Sequence, residues 1–138
     1  MMQKHGWVVL SVFLGGSLGT LLRYLINMQT TALLFPVGTI IENIIGSLLL
    51  GTLTGWTLVK VIVPVLKEGI GVGFCGGFTT MSTLAADAVV LGGTDSMGSL
   101  ATYLLISLFG GMFVAAIGLM IGQYLANRSV KKESREWS

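Results

Sequence analysis

Five long stretches of this chain carry no charged side chain: residues 6–22, 24–41, 43–59, 69–86 and 96–127. Crossing a bilayer as a helix takes about 20 mostly apolar residues. The pattern predicts an all-α membrane protein with four spans, at about 6–28, 37–59, 68–91 and 97–125. These make one transmembrane domain, 1–126, followed by a polar tail, 127–138, expected to be loose. Residues 29–35 read as the first connection, with Pro36 suited to a helix's first turn. Lys60 to Lys67 read as the second, its apolar stretch Val61 to Leu66 lying at the interface. Gly92-Gly93-Thr94-Asp95 reads as a turn between spans three and four. The first stretch reads as a full span rather than a cleaved leader, because Arg23 and Tyr24 follow it where a small-residue cleavage site would stand.

Small residues recur at four-residue steps: Ser11, Gly15 and Gly19; Ser47, Gly51 and Gly55; Ser107, Gly111 and Ala115, then Gly118 and Gly122. In lipid no hydrophobic force draws helices together, so close backbone approach at small residues does that work. These ladders mark expected helix–helix contacts.

Composition sharpens this. Hydrophobic residues make up 53% of the 138, and charged residues 10%, against about 25% in ordinary soluble domains. That excludes a soluble enzyme, a disordered chain and a coiled coil. His5 and Cys75 are each alone, which removes paired nucleophile chemistry, an intramolecular disulfide and most zinc sites, so no enzyme is expected. The basic tail from Arg128 to Arg135 reads as membrane-flanking charge and not as a nucleic-acid surface. With four spans, seven of eight basic residues (Lys4, Lys60, Lys67, Arg128, Lys131, Lys132 and Arg135) fall on one side, which predicts both termini in the cytoplasm.

Polar residues inside the spans are the candidates for chemistry. Arg23 extends the first ladder by one turn; it either snorkels to the interface or draws anions into a vestibule. Asn43 precedes Ser47 by one turn, as structural glue or as a donor on a pathway. Glu42 lies about 100° round the helix from it, near the outer half of span two, where it is expected to reach the outer interface; facing a pathway it would repel anions, so it receives no role. Residues 71–83 hold four glycines and four hydroxyl side chains, which weaken a helix. That segment is either a packing seam or a broken helix that holds an ion or lines a path. Asp87 is either an interfacial carboxylate or a further buried polar group.

Three ordered motifs stand out: Gly15-Gly16-Ser17-Leu18-Gly19 with Arg23-Tyr24; Gly38-Thr39 with Asn43 and Gly46-Ser47; and Gly73-Phe74-Cys75-Gly76-Gly77-Phe78-Thr79-Thr80 with Ser82-Thr83. Together they resemble the small fluoride channel family, called Fluc or CrcB. The resemblance covers nearly the whole chain. It implies a passive fluoride channel in a bacterial plasma membrane, built as an antiparallel dimer with two pores. It also implies a structural sodium ion held by backbone carbonyls, here those of Gly76 and Thr79. Asn43 becomes the pore donor and Arg23 the vestibule cation, and Thr39, Ser82, Thr83 and Tyr103 belong to the polar pathway. Where the family has two Phe residues in its third span, this chain has Met81 and Leu84, which lack an electropositive ring edge. That departure and the one-sided charge suggest one half of a heterodimer whose partner inserts the other way; the alternative is a working homodimer with replaced residues. A non-conducting subunit, or an ion-coupled carrier using Glu42 or Asp87, stays open beside the channel.

Overall fold

The computed structural model describes residues 2–30, 32, 33, 35–94 and 97–136, and among them every regular element is helical. The first span is α1 (Met2–Thr30) and the second is α2 (Val37–Val59). The third begins with α3 (Pro64–Glu68), widens into a π-helical stretch (Gly69–Cys75), narrows to α4 (Gly76–Phe78), breaks, and resumes as α5 (Met81–Thr94). The fourth is α6 (Met97–Leu105), a π-helical stretch (Ile106–Gly110) and α7 (Gly111–Glu136). Four of these helical runs, His5–Thr30, Val37–Val59, Pro64–Gly93 and Met97–Arg135, are long and apolar enough to cross a membrane. This is a multi-pass membrane protein.

Three boundaries differ from the sequence reading. The tail is not loose: α7 continues to Glu136. A helix already nucleated in the membrane extends at little cost. Lys60, at the end of α2, also bonds Ser129 Oγ (3.4 Å) and pairs with Glu133, and the Arg128 guanidinium lies over Tyr124, 5.7 Å from its ring centre. The third span starts earlier than expected, because Pro64 opens a helical turn inside the predicted connection. Gly92, Gly93 and Thr94 are the last residues of α5 rather than a turn, and Asp95 lies outside the described residues. A glycine costs a helix only about 1 kcal/mol, and Leu91 just before them is buried against Tyr103.

The ladders meet each other. Gly51 and Gly55 of α2 face the backbone of α7 at Ala115 and Leu119, while Gly118 and Gly122 of α7 face that of α2 at Leu48 and Thr52. A Cβ added to Gly118 would sit 2.5 Å from the Leu48 carbonyl oxygen. The α1 ladder packs along the first half of the third span, where a Cβ on Gly73 would lie 2.7 Å from the Val12 oxygen and one on Gly77 2.5 Å from the Gly16 oxygen. Gly46 of α2 packs against the Thr79 methyl at the break. The second half of the third span pairs instead with α6, around Leu84, Leu91 and Tyr103, and Phe35 stands edge-on to Tyr103 at 6.0 Å and 89°. Much of the remaining apolar surface, such as Trp7, Phe13, Val89 and Phe113, points outward, as lipid demands.

Gly122→Ala should therefore lower thermal stability by a penalty of about 1–3 kcal/mol from overpacking. Gly6→Ala, with nothing within 4 Å of the new methyl, should be neutral or mildly stabilising. Thermal unfolding in detergent compares the two, and equal effects would contradict the packing.

Candidate functional site

The break in the third span is built by one side chain. Thr79 leaves the helix with extended backbone, φ −79° and ψ 157°. Thr80 then exchanges two hydrogen bonds with Asn43 of α2: its N–H donates to Asn43 Oδ1 (2.8 Å), and Asn43 Nδ2 donates to its carbonyl (3.1 Å). Both residues are buried. The Thr80 hydroxyl caps the next helix by accepting from the Thr83 N–H (3.1 Å), and it lies 3.2 Å from Ser82 Oγ and 3.0 Å from Thr83 Oγ1. An unbroken helix would aim the N–H groups of Thr80 and Thr83 at the carbonyls of Gly76 and Thr79. Here both donors are engaged by side chains, so those two carbonyls are released from the ladder.

A second cluster sits one helical turn away, toward the end whose two connections carry no Lys or Arg. Asp87 Oδ2 accepts from Thr39 Oγ1 (2.7 Å) and from the Tyr103 hydroxyl (2.9 Å). Thr39 and Tyr103 are fully buried and Asp87 is half-buried, so Asp87 is a packed polar group with two hydroxyl donors. Thr39 and Asn43 stand one turn apart on α2, Thr83 and Asp87 one turn apart on α5, and Tyr103 and Ser107 one turn apart on the fourth span. The polar side chains of three spans thus form a row along the bundle.

Two cavities flank this row. One, of about 270 Å³, is lined by Asn27, Thr30, Gly38, Thr39 and Asp87 together with Pro36, Leu33, Val90 and Leu91. The other, of about 310 Å³, is lined by Asn43, Gly46, Ser47, Thr79, Thr80, Met81, Leu84 and Ser107, among others. Met81 is 67% exposed and Leu84 6%. Arg23 is half-buried on α1 and lies outside the lining of both cavities.

The structure brings Asn43, Ser82 and Thr83 together through Thr80, and Thr39 and Tyr103 together through Asp87. Gly76 and Thr79 stand at the break. Three residues gain weight that the sequence reading did not give them. Thr80 is the hub of the break. Ser107 is buried with no partner for its hydroxyl among the described residues, and its place one turn from Tyr103 was a signal available in the sequence. Glu42, expected near the outer interface, is fully buried.

A family profile described as "CrcB-like protein, Camphor Resistance (CrcB)" matches residues 10–119. The chain belongs to the CrcB family. Among its relatives, "Fluoride-specific ion channel FluC 2" of Halalkalibacterium halodurans is 49% identical over 120 residues, 87% of this chain and 89% of the relative. The protein of the same name in Bacillus subtilis is 42% identical over 127 residues, covering 91% and 95%. "Fluoride-specific ion channel FluC" of Gloeobacter violaceus is 37% identical over 118 residues, covering 83% and 94%. The CrcB match begins within α1 and ends within α7, so it includes both polar clusters and the break.

Asn43→Ala should strand the Thr80 N–H and carbonyl in a buried site, lowering stability by about 1–3 kcal/mol. Asn43→Asp keeps an acceptor for the N–H but sets a carboxylate against the Thr80 carbonyl, so it should rescue little of that loss. Chemical denaturation of the purified protein measures both.

Proposed function

We propose that this chain is a subunit of a passive, fluoride-selective channel in a bacterial plasma membrane, through which cytoplasmic fluoride leaves the cell. The observation that carries this reading is the row of hydroxyl and amide side chains, from Thr39 and Tyr103 through Thr83 to Asn43 and Ser107, in a CrcB chain whose relatives are named fluoride-specific channels.

The chemistry suits a small, strongly hydrated anion. Removing its water is costly unless donors replace it. Asn43 spends one N–H on Thr80 and keeps the other. Ser107 has an unspent hydroxyl facing the cavity that Asn43 and Thr80 also line. Hydroxyl protons rotate, so Thr39, Ser82, Thr83 and Tyr103 can turn a donor toward an ion and back to a neighbour as it passes. Arg23 supplies positive charge at the half-membrane that holds Asp87.

The freed carbonyls of Gly76 and Thr79 are the donor set a hard monovalent cation takes. Bound there, sodium would offset the cost of nearby anions and hold two broken helices together in a dimer. Sodium in place of potassium should raise the complex's thermal stability, and equal melting in the two salts would remove the ion from this account.

The assembly we favour is an antiparallel dimer of this chain with an oppositely oriented relative. Seven of eight basic residues lie toward one membrane face, which suits one fixed orientation with cytoplasmic termini. Met81 and Leu84 lack the ring edges that a partner with Phe at both positions supplies. In liposomes with a potassium-imposed voltage, the pair should release fluoride rapidly, whereas an electroneutral carrier would stay nearly idle. This chain alone should release it at least tenfold more slowly, and Met81→Phe with Leu84→Phe should recover part of the loss. Full-rate efflux by the single chain would overturn the paired assembly in favour of a homodimer. The exposed Met81 also favours a second reading, a structural subunit without its own pore; in that case Asn43→Ala leaves the pair's flux unchanged.

A further inference from the structure

Glu42 has no part in the polar row. It lies one turn beyond Gly38 and Thr39 on the face of α2 that meets α1, where a Cβ on Gly38 would approach Asn27 Oδ1 to 3.0 Å. It is fully buried, neither carboxylate oxygen makes a hydrogen bond of good geometry among the described residues, and the Asn27 amide approaches it as a donor. The contrast with Asp87 is direct, since Asp87 accepts from both Thr39 and Tyr103. The titratable and charged groups whose fields reach Glu42 are Arg23 from α1, Asp87 from α5 and Tyr103 from α6, with the Asn27 amide also on α1. Among the described residues, that end of the bundle therefore sets Arg23, Glu42 and Asp87 beside an expected anion path.

Ionisable groups inside a membrane are costly and mark function. A carboxyl that carries a proton is neutral and gains a donor, and one without it is an acceptor only. Asp87 is already supplied with two hydroxyl donors for its charged form; Glu42 has no comparable pair. An anion entering the row adds a further negative charge close to both. Fluoride and an ionised Glu42 thus oppose each other, whereas fluoride and a protonated Glu42 do not.

We propose that Glu42 is a proton-binding site linked to fluoride occupancy of the channel. The proton comes from hydronium in bulk water, whose O–H bond breaks as the carboxyl O–H bond forms, and the reverse step returns it on release. Linkage is reciprocal: the factor by which protonation favours fluoride is the factor by which fluoride favours protonation. This rests on the fluoride-channel reading and assigns that pathway a residue outside its donor row.

Two measurements on the assembled complex test it. Infrared difference spectra, with and without fluoride at fixed pH, should show a protonated-carboxyl band that grows with fluoride. The band should shift when glutamate, but not aspartate, is labelled with carbon-13, and should vanish in Glu42→Gln. Fluoride efflux, taken over that of protein-free liposomes, should fall about tenfold from about pH 6 to about pH 9 in the wild type, within the usual span of coupling factors. Glu42→Gln should be flat across that range, at or above the wild type's fastest rate. The infrared arm needs no variant, so it stands if Glu42→Gln fails to fold. A carboxyl band indifferent to fluoride in a complex that passes fluoride overturns the linkage, as does a wild-type pH slope retained in Glu42→Gln. A complex that passes no fluoride yet shows the fluoride-linked band keeps the linkage and overturns the channel reading.

Discussion

A backbone polar group in lipid must find a partner inside the protein, and each one left unmatched costs several kcal/mol (roughly, for full burial in hydrocarbon). The rest of this molecule is arranged around meeting that demand at one place. The third span stops being helical at Thr79, and Asn43 of α2 takes over the hydrogen bonds that the helix gives up. Thr80 completes the repair by capping α5 with its hydroxyl. Without these two side chains the break would be untenable in a membrane. With them, the carbonyls of Gly76 and Thr79 are freed and a cluster of hydroxyl groups is gathered at the same depth.

Positioning Asn43 needs α2 to be held closely, and that is the task of its glycines. Gly51 and Gly55 let α2 sit against the α7 backbone, and Gly46 admits the Thr79 methyl beside Asn43. The fourth span then brings Tyr103 and Ser107 alongside α5, where Tyr103 reaches Asp87. The small-residue ladders and the polar row are two views of one design. Close helix approach places short polar side chains from different spans within reach of each other, and a longer interaxial distance would leave each of them unpaired.

Much of this was legible in the residues. Five long uncharged stretches gave four spans, and the ladders named the helix contacts, because periodicity and the absence of charge are local properties. The weakened segment at 71–83 pointed to a break, since glycine and hydroxyl content can be counted without coordinates. Its location at Thr79 was not legible, because that depends on where Asn43 sits on another helix. Nor was the pairing of Asp87 with Thr39 and Tyr103, which joins residues 48 and 16 positions apart. The tail was misjudged because its hydrophilic sequence conceals contacts made by Lys60, which lies 69 positions before Ser129.

By itself, then, the order of residues determined that the chain lives in lipid, how many times it crosses, which side its basic residues favour and which family motifs it carries. Each of those follows from transfer free energy or spacing along one helix. Tertiary structure decided which polar groups meet, which carbonyls are released and which acid is buried away from the hydroxyl row. Those are matters of distance between helices, and a hydrogen bond about 3 Å long is settled only when two backbones have packed.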